Sequence, residues 1–148
     1  MKEVRSWQAG ARESGLLLLR LVVGGFLLPH GLGKLLGWFG GPGLAGFAVE
    51  LQDFGLPATT PLPLLLALAQ TLAGLFVVAG VWTRVSALAA GAFLAATIVL
   101  NAENGWFWMH GGIEYPLLWT VAALAVALLG AGRFSLDAVA SRHREISP

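Results

Sequence analysis

The chain contains no cysteine. That excludes structural disulfides, thiolate-held metals, iron–sulfur clusters and any thiol relay of its own. Redox chemistry in such a chain has to travel on a borrowed carrier. Charge is nearly as scarce: Asp, Glu, Lys and Arg make up 11% of 148 residues, and the net charge is +1. This balance offers no basic surface for a nucleic-acid partner held through its phosphates. Apolar residues fill the space, at 57% of the chain and a mean hydropathy of +0.76. A soluble domain this small buries only about two-thirds of the surface its unfolded chain exposes, so it could not hide so much apolar area. A soluble enzyme and a disordered chain are both excluded, and one membrane-embedded domain is expected.

The apolar residues predict an all-α fold, an integral membrane four-helix bundle. Four segments, 15–36, 62–82, 85–102 and 113–131, each approach the roughly 20 residues needed to cross the hydrocarbon. They form a membrane domain over 15–131, between an N-terminal segment 1–14 and a C-terminal tail 132–148. A cleaved signal peptide is the rival reading of the first segment, but no small-x-small cleavage site follows it.

Eight of the nine basic residues fall on one side of these spans: Lys2, Arg5, Arg12, Arg20, Arg84, Arg133, Arg142 and Arg144. Lys34 stands alone on the other. The positive-inside rule then predicts that both termini are cytoplasmic, an N-in/C-in topology. Arg20 and Arg84 lie near enough to that side to be expected to snorkel to it.

Between the first two spans, Leu44, Phe47, Ala48, Leu51 and Phe54 recur at helical spacing. This predicts a short amphipathic helix in the first outer loop, lying on the membrane surface beside Trp38 and Phe39. The loop 103–112 is strongly aromatic around Trp106 and Trp108. It reads either as a headgroup-level aromatic belt or as the cover of a ligand pocket.

Polar groups with chemical reach concentrate in the outer half. His30 and Lys34 stand four apart, on one face of the first span. At about 1.5 Å per residue, His30 lies roughly 9 Å below the outer end and Gln70, on the second span, roughly 12 Å below it. Asn101 closes the third span on the same side, while His110, Glu114 and Tyr115 flank the start of the fourth. Polar groups in lipid are costly and face a bundle interior, so their convergence predicts a binding site built from His30, Lys34, Gln70, Asn101, Trp106, Trp108, His110, Glu114 and Tyr115. Each also has a structural reading. His30 could bond a carbonyl, Lys34 could snorkel, and Gln70 could join helices for about 0.6–2 kcal/mol. Asn101 could cap a helix, and His110 could pair with Glu114.

These donors, acceptors and proton carriers in an apolar setting match the oxygens of a quinone, which is the cofactor expected here. No haem, iron–sulfur or nucleotide signature is present. His30, His110 and Glu114 have metal-ligand chemistry without diagnostic spacing, so no metal is expected. Transport is disfavoured because the polar groups do not continue into the inner half.

The run Leu28-Pro29-His30-Gly31-Leu32-Gly33-Lys34-Leu35, preceded by Leu18-Leu19-Arg20, resembles the first-helix pattern of the DoxX family. Gly37-Trp38-Phe39-Gly40-Gly41-Pro42-Gly43, Thr83-Arg84, Gly111-Gly112-Ile113-Glu114-Tyr115-Pro116-Leu117-Leu118 and Gly132-Arg133-Phe134-Ser135-Leu136-Asp137 are similar to its further signatures. The resemblance runs from about Leu17 to Ala138. It implies a small four-helix protein of a bacterial or archaeal cytoplasmic membrane, associated with quinone-linked oxidoreductases and with a redox partner or larger membrane complex. Whether the chain is itself catalytic stays open, and no catalytic residue is assigned. One departure stands out: where the family commonly carries a glutamate in the second helix, this chain has Gln70, an amide that cannot relay a proton. Two functions follow as expectations. The first is a quinone-binding component of a membrane oxidoreductase, and the second a non-catalytic structural or assembly subunit of a larger membrane complex.

Overall fold

The computed structural model describes residues 2–59 and 61–146. Side chains of residues 2–5 and 144–146 lie outside the described residues, among them Lys2, Arg5 and Arg144 of the basic end. The described residues form helices α1 (Lys2–Leu36), α2 (Gly43–Asp53), α3 (Leu62–Ala79), α4 (Thr83–Leu100), α5 (Glu114–Leu129) and α6 (Leu136–Ile146), joined by loops and short 3-10 turns. No strand occurs among them. Helix α1 runs unbroken through residues 2–14 and through Pro29.

Three helical stretches, Ser6–Leu36, Leu62–Ala79 and Thr83–Leu100, are long and apolar enough to cross a membrane. The fourth apolar helix, α5, is shorter, with 16 residues. That is about 24 Å of helix, against roughly 30 Å of hydrocarbon. It is shorter than the segment 113–131 because Gly130, at φ 84, leaves helical geometry.

Helix α1 packs along α3, α4 packs along α5, and the contacts α3 with α4 and α1 with α5 close the bundle. The interior is built from small and β-branched residues. Val23, Val77, Ala87, Ala123 and Val126 form one cluster, and Leu27, Ala73, Ala90 and Leu94 a second. Between two apolar phases the association depends on close packing, which small side chains permit. Gly24 illustrates this: a β-carbon there would sit 2.5 Å from the Gly74 carbonyl oxygen and 2.9 Å from the Val78 amide nitrogen. Large apolar residues such as Leu18, Phe26, Val99, Leu118 and Leu128 point outward, as a lipid-facing surface requires.

The amphipathic helix of the first loop is present as α2, but its apolar face turns toward the bundle. Phe47 and Leu51 are buried with Ala67 of α3, and Leu35 of α1 and Leu66 of α3 pack against them. Burial against protein satisfies these residues as well as lipid would, and it lets α2 cap the Lys34 end of the α1–α3 pair.

At the opposite end, Arg20 does not snorkel. It is 1% exposed and donates to four backbone carbonyls. Its Nε reaches Val77 O at 3.0 Å and its guanidinium nitrogens reach Val78 O at 2.6 Å, Ala131 O at 2.7 Å and Phe134 O at 2.8 Å. The last carbonyls of α3 lack intrahelical donors and carry the negative end of the helix dipole, so a buried guanidinium is a fitting cap. Gly80 makes room for it. A β-carbon there would lie 2.6 Å from Arg20 and 2.5 Å from the Ser135 β-carbon, and its backbone is left-handed at φ 69.

Asp137 completes this end by capping α4 from outside the helix. Its Oδ1 accepts the Trp82 amide at 2.8 Å, and its Oδ2 accepts the Thr83 amide at 2.9 Å and the Thr83 hydroxyl at 2.8 Å. The bonds hold Trp82 in a left-handed conformation, φ 43, which a bulky residue adopts only under constraint. Burial alone would raise the Asp137 pKa. The Thr83 and Trp82 bonds and the Arg20 charge outweigh it and hold the carboxyl below the usual carboxylate range. A depressed folded-state pKa means the cap stabilises above the unfolded pKa near 4 and is lost as pH falls through the lower folded value. Asp137→Asn is therefore expected to lose about 1 kcal/mol at neutral pH. Its unfolding midpoint should also depend less on pH below 4 than the wild-type midpoint, read by thermal unfolding in detergent across pH 3–7.

Candidate functional site

Four residues meet inside the Lys34 end of the bundle. The Lys34 ammonium, in the last turn of α1, donates to Gln70 Oε1 at 3.3 Å. It lies over the Phe47 ring at 4.5 Å and the Phe93 ring at 5.2 Å. Gln70 is 4% exposed. An ammonium held between two ring faces and an amide oxygen is stabilised by the ring quadrupoles and by one charge-assisted bond. Of its three donor positions, that one bond is recorded among the described residues.

Beside Lys34 opens a cleft of about 450 Å³, walled by Pro29, His30, Gly33, Trp38, Phe39 and Glu50. The loop after α1 folds back to make one wall: a β-carbon on Gly33 would meet Gly41 Cα at 3.2 Å. Phe39, on that wall, has left-handed backbone at φ 57 and ψ 25. For a bulky residue this costs on the order of 1–2 kcal/mol, and such strained positions concentrate at ligand sites. His30 is exposed at the cleft, with its ring edge-on to Trp119 at 5.5 Å. Trp119 in turn donates its indole N–H to Val23 O at 3.0 Å, which ties α5 to α1 one to two turns before His30.

The sequence-selected residues therefore divide in two. His30 and Lys34 line the cleft, and Gln70 is joined to it through its bond from Lys34. Asn101, Trp106, Trp108, His110, Glu114 and Tyr115 do not line it; they organise the loop between α4 and α5. Asn101 Nδ2 donates to Thr97 O at 2.9 Å, closing α4, and its Oδ1 accepts from Asn104 at 3.2 Å. The Ile113 amide reaches Gly105 O at 3.1 Å and the Glu114 amide reaches Trp106 O at 3.0 Å, so the loop pairs with itself. Trp108 stacks on Tyr115 with ring centres 5.6 Å apart and planes 10° from parallel. No ion pair joins His110 to Glu114, and no group of three His, Asp or Glu gathers to hold a metal, among the described residues.

The sequence reading missed Trp119, Phe93 and Glu50. Trp119 did carry a signal, because an indole N–H inside an apolar span needs a buried acceptor. Phe93 carried none, since an aromatic in a membrane helix reads as lipid-facing.

The residues that line the cleft, and Gln70 and Phe93 that hold Lys34 beside it, all fall within 15–111, the stretch matched by the DoxX family model. The chain belongs to the DoxX family. Neither the curated proteins nor the solved structures compared with the chain give a match. DoxX proteins are associated with membrane oxidoreductase-related roles, and family and apolar helices together make this chain a lipid-contacting membrane protein. Within this DoxX chain, Gln70 serves Lys34 as a neutral acceptor, so their contact is a hydrogen bond and not an ion pair. Glu50, at the cleft wall on α2, is the acid whose charge acts on Lys34.

Proposed function

We propose that this protein is the membrane component of a quinone-linked oxidoreductase and binds a quinone headgroup in the cleft beside Lys34. The Lys34 ammonium, held between Phe47 and Phe93 with donor positions to spare, is the observation that carries the reading. A cleft of about 450 Å³ lies within the usual range for small-molecule sites, roughly 300–1,000 Å³. Its walls of Pro29, Trp38 and Phe39 suit a flat, apolar ring. Lys34 would donate to one quinone oxygen, with Gln70 fixing the ammonium in place. His30, oriented by Trp119, would exchange protons at the open side. A quinone supplies two-electron chemistry and takes up two protons on reduction; the electrons would come from a partner subunit or a small reduced molecule. In this reading α5 is the fourth crossing and both termini lie on the basic, cytoplasmic side, with the cleft near the opposite surface.

Solvent extraction of the protein purified in mild detergent, followed by mass spectrometry, tests this. Close to one quinone per chain is expected in the wild type and little in His30→Ala. A well-folded wild type that retains none would turn the reading toward an assembly subunit. One observation favours that second reading: Trp106, Phe107, Trp108 and Met109 are all more than half exposed in one continuous loop, the kind of patch that marks a protein partner.

A further inference from the structure

A second cleft, of about 480 Å³, lies at the Arg20 end between α4 and α5, walled by Trp82, Arg84, Val85, Leu129, Gly130 and Asp137 among others. Arg84 is exposed and, among the described residues, has neither an ion pair nor a hydrogen-bond partner. It nevertheless lies along the backbone of Gly130: a β-carbon there would come within 3.6 Å of its guanidinium. Among the described residues, the acids of this end, Glu13 and Asp137, are already engaged. Asp137 accepts from Trp82 and Thr83, and Glu13 accepts from Arg12 and from the Arg133 amide. Arg133, three residues after Gly130, and Arg142, five after Asp137, are also exposed.

An apolar seam leads away from this guanidinium. Arg84, Leu88 and Gly91 share the side of α4 that faces α5, at spacings of four and three. Gly130 meets Arg84 at one end of the seam, and Leu124 meets Gly91 further along it. Val85, Leu88, Leu124 and Leu129 all remain exposed there, from 43% to 67%. A fork of donors above a shallow apolar track matches a phosphodiester with an acyl chain attached.

We infer that the Arg84 cleft is a specific site for an anionic glycerophospholipid, with its phosphate on the Arg84 guanidinium and an acyl chain along the α4–α5 seam. The apolar seam favours a lipid over free phosphate, and the unbalanced basic charge favours an anionic headgroup over a zwitterionic one. The site is separate from the Lys34 cleft, so its test does not depend on the quinone reading.

Native mass spectrometry of the detergent-purified protein reads it directly, with phosphatidylglycerol, phosphatidylcholine and glycerol phosphate as probes. Wild type should bind one phosphatidylglycerol with about tenfold preference over phosphatidylcholine and show no comparable glycerol phosphate binding. Arg84→Gln should weaken that first lipid about tenfold, Arg84→Lys should weaken it less, and Arg142→Gln should leave it nearly unchanged. Equal first-lipid binding by wild type and a folded Arg84→Gln would overturn the site. Glycerol phosphate competing as well as the lipid would make it a free-phosphate site and overturn the lipid assignment.

Discussion

Replacing Arg20 with methionine is expected to destabilise the bundle by about 3–5 kcal/mol, taking on the order of 1 kcal/mol for each buried carbonyl that loses its guanidinium donor. The methionine keeps the apolar stem and removes all four bonds, to Val77, Val78, Ala131 and Phe134. Two of these carbonyls end α3 and two belong to the chain after α5, so a single side chain on α1 joins both. Asp137 also loses the nearby cation that helps hold it ionised, which weakens the cap on α4. Lysine at this position should recover little, because one ammonium on a flexible stem cannot span the acceptors a planar guanidinium reaches. Unfolding in detergent, followed by circular dichroism against a denaturant series, checks the size of the loss. A change within about 0.5 kcal/mol, the range of an ordinary surface substitution, would mean the latch contributes nothing.

The second large effect concerns the approach of α1 to α3. Gly24→Val is expected to cost about 3 kcal/mol, the upper part of the range for overpacking, because the atoms a β-carbon would meet include the Gly74 carbonyl oxygen and the Val78 amide nitrogen. Backbone on both sides cannot yield as a flexible side chain could, so the helices must separate. The neighbouring position supplies the control. Gly25 has open space at its β-carbon, and Gly25→Ala should be neutral or slightly stabilising through helix propensity. The same unfolding measurement separates the two; equal behaviour of both variants would remove the close approach as a source of stability.

The helices were legible in the sequence because the membrane leaves few choices. A run of about 20 apolar residues has one economical conformation there, and the bounds of α1, α3 and α4 differ from the expected spans chiefly at their ends and in the extension of α1 to Lys2. Depth along two antiparallel helices set Gln70 level with His30, but its amide oxygen accepts from Lys34, one turn further along α1. The Arg20 latch was not legible. Its acceptors are backbone carbonyls 57 to 114 positions away, and a carbonyl has no sequence signature. Position near the basic end pointed to solvent, while the unsatisfied end of α3 pulled the guanidinium inward. Similar depth also grouped Asn101, Glu114 and Tyr115 with His30. Depth fixes height in the bundle but not direction around it, and the loop's own bonds, Ile113 to Gly105 and Glu114 to Trp106, decide where those residues go.

The lysine at the cleft carries the functional account, and its affinity for a quinone is the quantity to measure. A soluble short-chain quinone would be titrated into wild type and Lys34→Met, with binding read by tryptophan quenching and folding checked by circular dichroism. Methionine preserves the contact with Phe47 and Phe93 while removing the charged donor. Loss of a charge-assisted bond worth roughly 1.5–3 kcal/mol should weaken binding by about 10- to 100-fold. A folded Lys34→Met protein that binds the quinone as tightly as wild type would contradict the account.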